Sequence, residues 1–437
     1  MMSHEEVMVE VEKYVAAPTV ERLADVLTVA KKLNTVEKGQ VVKALAKHRD
    51  LHGMTSNELR QAMKESRGGG GQSDKFFDEM NNFQPELLVD QLMQNNHYSY
   101  PVGLGYFHIY NGGFFKEDVV MTTENKALDL MDKRNFDIDK VMKFLKFRAA
   151  CPVHDTVHPD SVNLKNGMLC LKTYQMLPHS PHYKSVVQLP VDYHPDAECP
   201  AFDKWLDNVL PDPDDQLLLM QFFAASMLQN AKRFGKIVVL YGPTRTGKST
   251  CLDVVRAFLG DSNVSSSSLH DLDNAQKPYA TSMLLHKLAN TSYDLSNNHL
   301  AGDSVIKKIS VGDSINAEAK YQKEFQFRPY ATLWNSSNHF PVSKDRTSGW
   351  CGRLVILPFT VQHSESGSDA DMADKLTTPS ELSGIMNKVI RALKIVIKDG
   401  CFIETENTKE AMEAYVGEND HVSRFLTECV ELSLIHI

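Results

Sequence analysis

Lys236-Ile-Val-Val-Leu-Tyr-Gly-Pro-Thr-Arg-Thr-Gly-Lys-Ser-Thr250 is the stretch on which the reading of this chain turns. An apolar run, Ile237 to Tyr241, leads into the loop Gly242-Pro243-Thr244-Arg245-Thr246-Gly247, and Lys248, Ser249 and Thr250 follow. An amphipathic run from Cys251 to Leu259 comes next, closed by Gly260. Strand, glycine-bounded loop and helix in that order complete the phosphate-loop pattern G-x-x-x-x-G-K-[ST]. Gly242 and Gly247 permit the tight bends that turn backbone N–H groups onto phosphates. A helix opening near Lys248 points its positive end at the same anion. Lys248 is expected on the β- and γ-phosphates, and the Ser249 hydroxyl as a ligand of Mg²⁺. Residues 242–250 are therefore the expected cradle for a nucleoside triphosphate. The motif does not say what the triphosphate is used for.

The 437 residues are enough for two or three domains. A hydrophobic content of 42% and a charged content of 24% are those of an ordinary globular protein. The net charge of −9 argues against a surface coated in basic patches, yet a narrow basic channel for nucleic acid is compatible with it. Seven scattered cysteines suit a reducing interior better than a disulfide framework. The acidic start, Met-Met-Ser-His-Glu-Glu, does not read as a signal peptide, and no run reaches the length of a membrane span. A soluble intracellular protein is expected, in the host cytoplasm if the chain is viral.

Residues 1–67 read as helices. Val20, Leu23, Val26, Leu27 and Ala30 share one helical face, Val41, Val42, Leu45 and Ala46 another. Thr55-Ser-Asn-Glu58 reads as a capping box opening a helix over Leu59 to Glu65. Such a bundle is either purely structural or docks on a partner or on DNA. The four glycines 68–71 mark a linker, 68–74. An α+β domain is expected over 75–210. It carries a helix over Glu86 to Met93, a hairpin turning at Asn111-Gly112-Gly113, and a helix over Asp137 to Phe147 with a basic outer face. A second hairpin is expected at 163–171 with Asn166-Gly167 as its turn. Cys151, His154 and His158 lack a second ligand pair nearby and read as a structural loop rather than a metal site. A helix over Phe202 to Leu210 follows, then Asp214 and Asp215 capping a long apolar helix, Gln216 to Leu228. The ATPase domain is expected over 211–400, and a helical tail, read as clipped, over 401–437.

Behind the loop, Ser265 to Ser268 reads as a polar loop and Leu284 to Asp294 as a strand. Ala301 to Ser310 reads as a helix, Ser314 to Tyr321 with Glu324 to Phe327 as a hairpin, and Tyr330 to Trp334 as a strand ending at Asn335 to Asn338. Asp294 stands where an acid would hold Mg²⁺, Asn338 where a side chain would meet the γ-phosphate or the attacking water. Arg353 heads a strand, as a fixed guanidinium able to reach a phosphate across a subunit boundary would. Each alone has an ordinary explanation: a helix cap, a turn residue, a salt-bridge donor. Their order behind a complete phosphate loop is more specific than any one of them.

Asn163-Leu-Lys-Asn-Gly-Met-Leu-Cys-Leu171, Tyr193-His-Pro-Asp-Ala197 with Cys199-Pro200, Gly242 to Thr250, Lys308-Ile-Ser-Val-Gly-Asp313 and Trp334-Asn-Ser-Ser-Asn-His-Phe-Pro341 together carry a resemblance. The chain from about Phe76 to Glu431 resembles the helicase part of the phage, plasmid and poxvirus-type primase-helicases, which are superfamily-three helicases. The resemblance implies an α/β fold with a P-loop AAA+ core, preceded by an α+β helicase-associated domain and an N-terminal helical segment. It implies a homo-hexameric ring that hydrolyses ATP, threads single-stranded DNA and unwinds forked duplex 3′ to 5′, with a primase or polymerase as a possible partner. Lys248 and Ser249 then form the Walker A pair, Asp294 the Walker B acid, Asn338 the sensor and Arg353 the arginine finger. Lys320, Tyr321 and Lys323, at a hairpin tip between them, become the expected DNA contacts.

Four departures from the family pattern stand out. Arg245 and Thr246 occupy variable loop positions where many relatives have glycine and a small polar residue. The strand Leu288-Ala-Asn-Thr-Ser-Tyr-Asp294 is polar with a single acid, so no water-activating base is assigned. No primase signature precedes residue 76, and family members continue past Glu418 to Glu431 into a winged helix that is not seen here. Two other classes stay open: a P-loop nucleotide kinase, which needs an acceptor pocket and lid arginines, and a weakly hydrolysing DNA-binding or replication-partner protein.

Overall fold

A five-stranded parallel sheet is built around the apolar run that precedes the glycine loop. Its strands are β1 (Ile237–Tyr241), β2 (Val264–Ser265), β3 (Ala289–Ser292), β4 (Thr332–Ser337) and β5 (Leu354–Pro358), in the spatial order β5-β1-β4-β3-β2. Every neighbouring pair is parallel. Residues 237–240 are fully buried, because both faces of the sheet are covered. The pleat sends Val238 and Leu240 into one core and Ile237 and Val239 into the other. The computed structural model describes residues 3–52, 54–63, 73–102, 104–118, 121–132, 134–152, 160–230, 234–274, 277–295, 304–318, 324–341, 347–363, 369 and 371–419. They fall into two compact units, Met1–Leu88 with Glu124–Val141, and Val89–Thr123 with Met142–Ile437.

The first unit contains the N-terminal helices His4–Ala16, Val20–Ala30, Thr35–Ala46, Arg49–His52 and Ser56–Met63. Val11, Val26, Val41, Leu45 and Leu59 form its core, on the faces that the sequence periodicity indicates. Thr55 and Glu58 make the reciprocal capping box, with the Thr55 amide donating to Glu58 Oε2 at 2.6 Å and the Glu58 amide to Thr55 Oγ1 at 3.3 Å. The helix therefore opens at Ser56, three residues earlier than expected. Gly68 to Gly71 lie outside the described residues.

In the second unit, helix α1 (Ile138–Ala149, its first turn in the first unit) leads into a four-stranded sheet. That sheet holds the hairpin His108–Asn111 with Phe114–Glu117, then Tyr98–Pro101 and Ala150–Cys151. The next hairpin, Ser161–Leu164 with Gly167–Cys170, pairs Leu164 with Gly167. Its turn is therefore Lys165-Asn166, one residue earlier than expected. Asn166 explains the shift: its side chain accepts from the Tyr193 amide at 3.1 Å and donates to the Tyr193 carbonyl at 3.0 Å.

Helices α2 (Pro200–Val209) and α3 (Pro213–Met227) precede the sheet, α4 (Lys248–Leu259) follows the glycine loop, and α5 (Pro379–Asp399) and α6 (Glu406–Asn419) are the last two elements among the described residues. The cap of α3 is Asp212, not Asp214 or Asp215: its side chain accepts from the Asp214 amide at 2.8 Å, with Pro213 in the first turn. Asp215 is buried instead and accepts from Asn407 at 2.7 Å. α3 brings Phe222 and Phe223 edge-on to Trp334 of β4, at 5.9 and 5.6 Å, and Ser226 Oγ accepts from the Trp334 indole at 2.9 Å.

Three strand expectations need correcting, and the first and last share one reason. β2 occupies part of the expected polar loop, β3 is confined to Ala289–Ser292, and β4 runs on through Asn335, Ser336 and Ser337. In β2 and β4 the polar residues are buried with hydrogen bonds that offset much of the cost: Ser265 Oγ to Asn290 Oδ1 at 2.9 Å, and Asn335 Nδ2 to the Val238 carbonyl at 3.3 Å, although Asn335 Oδ1 has no partner among the described residues. Ile315–Ala317 and Phe325–Phe327 form the third expected hairpin, antiparallel in register. Among the described residues no helix is long and apolar enough to cross a membrane.

His108 and His286 meet edge-on within the second unit, ring centroids 6.0 Å apart. His108 Nδ1 and His286 Nε2 are buried without a hydrogen-bond partner among the described residues, although His286 keeps part of its surface in water. Burial pushes His108 down to about 4. Burial, then the neighbouring His108 and Lys287 charges, push His286 to about 3. The unfolded chain takes up protons near the ordinary value of 6.5, whereas the fold resists them. Stability is therefore full above about pH 6.5 and falls as the pH drops toward about 4, by about 1.4 kcal/mol per unit for each histidine. Denaturant unfolding across that window should show this acid limb, and His108→Asn should flatten it. An unchanged slope in the variant would contradict the burial argument.

Candidate functional site

The loop after β1 is shaped by contacts at both glycines. Gly242 has φ +151°, and a Cβ on it would lie 2.0 Å from the Phe359 carbonyl oxygen. The Tyr241 carbonyl accepts from the Phe359 amide at 2.6 Å, and the Gly242 amide donates to the Ser337 carbonyl at 3.2 Å. The chain leaving β1 is thus held between the ends of β5 and β4. Gly247 has φ +91°, and a Cβ there would press on Val209 of α2 at 2.8 Å. Arg245 is also left-handed, φ +63°, a conformation that glycine adopts at less cost.

Gly247 caps α4 and brings no side chain to do it. The amides of Lys248, Ser249 and Thr250 lie in the first turn and have no partner four residues back, so their N–H groups and the helix dipole present positive charge to the loop. The Lys248 side chain is buried and donates to the carbonyls of Gly242 at 2.8 Å and Pro243 at 2.5 Å. Burial holds its pKa below the usual lysine value. Thr246 Oγ1 braces the bend by donating to the Pro243 carbonyl at 3.1 Å. Ser249 is exposed. The arrangement is an anion site of backbone amides with one desolvated ammonium at its edge.

Sheet register fixes where the other candidates lie. Ser337 pairs with Tyr241, so Asn338 emerges beside the loop. The Leu295 amide donates to the Ser336 carbonyl at 3.0 Å, so Asp294 leaves β3 at the same level. Neighbouring strands lie roughly 5 Å apart, which puts Asn338 about one strand and Asp294 about two strands from the loop. Both are exposed at the carboxyl edge of the sheet, where ligands of open parallel sheets bind. Asn338 lies in a bend past β4, not within the strand.

Arg353 is elsewhere. It precedes β5, and its carbonyl accepts from the Ile237 amide at 2.7 Å, at the amino edge of the sheet. The five residues of β1 put it ~17 Å from the loop of its own chain, beyond the span of its side chain. Its guanidinium donates to the Gly349 carbonyl, and its buried Nε has no hydrogen-bond partner among the described residues. Lys320, Tyr321 and Lys323 lie outside the described residues, as do His154 and His158. Among the described residues no cluster of three or more His, Cys, Asp or Glu is suited to hold a metal.

Several residues around the loop escape sequence reading. Gln362 Nε2 donates to the Thr244 carbonyl at 3.3 Å and the His363 amide to the Arg245 carbonyl at 2.9 Å, so the segment after β5 straps the loop's outer side. Tyr293, next to Asp294, donates to Asp253 of α4 at 2.6 Å, tying the end of β3 to the helix. Phe340 stacks on Tyr241 at 4.2 Å, which fixes the segment behind Asn338 against β1. None of these contacts is local in sequence, and none leaves a periodic signal.

Two family models match separate parts of the chain. Residues 86–211 match the model described as "D5 N terminal like", and residues 240–353 match "Family of unknown function (DUF5906)". None of the curated proteins matches the sequence. Among solved structures, "The A form apo structure of NrS-1 C terminal region-CTR" is similar at 12% identity over 76% of this chain and 74% of that chain, with a TM-score of 0.49. "The apo structure of NrS-1 C terminal region (305-718)" is similar at 14% identity over 74% of this chain and 76% of that one, with a TM-score of 0.45.

The contact at Gly242 yields a direct test. Gly242→Ala should lower stability by about 1–3 kcal/mol, because the new methyl meets the Phe359 carbonyl in a backbone conformation that L-residues avoid. A variant that melts like the wild type would show that the exit of β1 is not held between Phe359 and Ser337.

Proposed function

We propose that this chain is an ATP-dependent replicative DNA helicase of the superfamily-three type, from a phage, virus or plasmid. On this reading residues 211–400 form an AAA+ motor, 75–210 the domain ahead of it, 1–67 a helical accessory segment joined by the linker 68–74, and 401–437 a helical tail. The protein acts inside the cell as a homo-hexameric ring on single-stranded and forked DNA, alongside a primase or polymerase. The observation that carries the reading is the shared carboxyl edge: amide-lined loop, Lys248, Asn338 and Asp294 together, with Arg353 on the far edge. The D5 N terminal-like match over residues 86–211 supports the same reading.

The chemistry follows from charge. The loop amides and the start of α4 bind the phosphate oxygens, and the Lys248 ammonium exchanges its carbonyl partners for the β- and γ-phosphates. Its lowered proton affinity reflects a dry setting, where a charge acts more strongly on developing negative charge than in water. Ser249 and Asp294 would hold Mg²⁺. Both are exposed at the loop edge, and Mg²⁺ asks for one or two protein oxygens beside phosphates and waters. The bound ion supplies charge neutralisation on the phosphates. Asn338 orients the attacking water or the γ-phosphate by hydrogen bonding. Arg353, out of reach of its own loop, serves the loop of a neighbouring subunit. Lys320, Tyr321 and Lys323 contact the strand in the ring's channel.

Lys248→Ala should reduce ATP hydrolysis roughly 100-fold or more and abolish strand displacement on a fork. Asp294→Asn should raise the Mg²⁺ concentration needed for hydrolysis. Single-stranded DNA should stimulate the wild-type rate, which separates this reading from a nucleotide kinase. Hydrolysis by Lys248→Ala at the wild-type rate would overturn the assignment.

A further inference from the structure

A second charged site lies in the domain ahead of the sheet, away from the glycine loop. A cavity of about 250 Å³ opens between the end of α1, the strand Tyr98–Pro101 and the turn at Pro181–Tyr183. Its lining includes His97, Arg148, His182 and Lys184 and, among the described residues, no carboxylate. In a chain of net charge −9 that is a local reversal of sign. Arg148 is held by Asp90, but both are substantially exposed, and one such pair leaves most of the five guanidinium donors for another acceptor. The Lys184 amide donates to the Pro181 carbonyl at 3.0 Å, which fixes the turn that carries His182 and Lys184.

The positive surface continues along α1. Lys143 and Lys146 are exposed, and Lys146 Nζ lies 5.5 Å from the centre of the Tyr100 ring. Between Lys146 and Arg148 stands Phe147, a phenyl ring 75% exposed. An isolated exposed apolar side chain is ordinary. An exposed ring with the exposed Lys143 one turn before it on the same helix face, beside a cavity lined by Arg148 and, among the described residues, by no acid, has the composition of a nucleic-acid surface: charges for phosphates and a flat face for a base.

We propose that this cavity and the adjoining face of α1 bind a single-stranded nucleic-acid segment, with backbone phosphates against Lys143 and Arg148 and a base stacked on Phe147. The surface stands on its own chemistry. Only the choice of DNA over RNA rests on the helicase reading. The contact lies outside the ATPase core, so it should hold a strand without nucleotide.

The test is a fluorescence-anisotropy titration of the full chain, without nucleotide, using labelled oligo-dT and oligo-rU of equal length. Lys143→Glu combined with Phe147→Ala, and separately Arg148→Gln, should weaken oligo-dT binding roughly 5-fold or more. They should also lower the slope of log affinity against log salt by about 0.7 for each phosphate no longer neutralised. Lys398→Glu, an exposed lysine on α5, makes the same charge change elsewhere and should leave binding unchanged. Lys143 and Phe147 are exposed, so the double variant should keep the wild-type melting curve and the DNA-independent ATPase rate. Lys248→Ala should bind the oligomer normally, so failure of the ATPase reading would leave this result standing. A comparable weakening with both oligomers supports the surface. A weakening confined to oligo-rU supports the surface but overturns its assignment to DNA. The proposal is overturned if the variants bind like the wild type, if the wild type binds neither oligomer, or if inorganic phosphate binds at Arg148 while oligo-dT does not compete with it.

Discussion

The close approach of the Phe359 carbonyl to Gly242 is the constraint on which the site depends. β1 is paired on both sides and buried on both faces, so the chain leaving it has little freedom. At its end β5 and β4 both bond to the turning backbone, and only a residue without Cβ fits between them. The bend then delivers the next residues to the start of α4 with their amides facing inward. Val209 beneath Gly247 and the Gln362–His363 strap hold the other side of the loop. The glycines therefore do more than permit a turn. They are the points at which three strands and two helices meet.

The same sheet distributes the remaining candidates. Parallel strands put everything that follows a strand on one edge and everything that precedes a strand on the other. Asp294 and Asn338 follow β3 and β4 and reach the loop edge, whereas Arg353 precedes β5 and cannot. Inserting β4 between β1 and β3 sets Asn338 between the loop and the acid. This is a physical reason to seek the cation that completes the site on a second copy of the chain.

Much of this was legible in the sequence, and the residues show why the rest was not. The run Ile237 to Tyr241 is apolar throughout because both of its faces are buried, and the glycine pattern after it has one conformational explanation. The capping box at Thr55 is a local device and read directly, as did the hairpin at 108–117, although Asn111 pairs with Phe114 and the turn is Gly112-Gly113 rather than Asn111-Gly112. β2 and the second half of β4 did not read directly, because Ser265, Asn335, Ser336 and Ser337 are polar yet buried, with Ser265 bonded to Asn290, the Asn335 Nδ2 to the Val238 carbonyl and Ser337 to the His339 carbonyl. Asp212 displaced Asp214 as the cap of α3 because Asp215 is drawn inward to Asn407, a contact 192 residues away. The order of Lys248, Asp294, Asn338 and Arg353 was visible, but the edge on which each stands needed the strand register. The Tyr293–Asp253 tie and the strap after β5 join distant segments and have no sequence signature.

On the proposed reading one active site is divided between two subunits, and mixing two inactive chains decides whether it is. Lys248→Ala and Arg353→Ala should each fail to hydrolyse ATP alone, the second while still binding nucleotide. Assembled together, they should regain part of the wild-type rate, because some interfaces then join an intact loop to an intact arginine. Wild-type hydrolysis by Arg353→Ala alone, or mixed assemblies that form but remain inactive, would contradict the account.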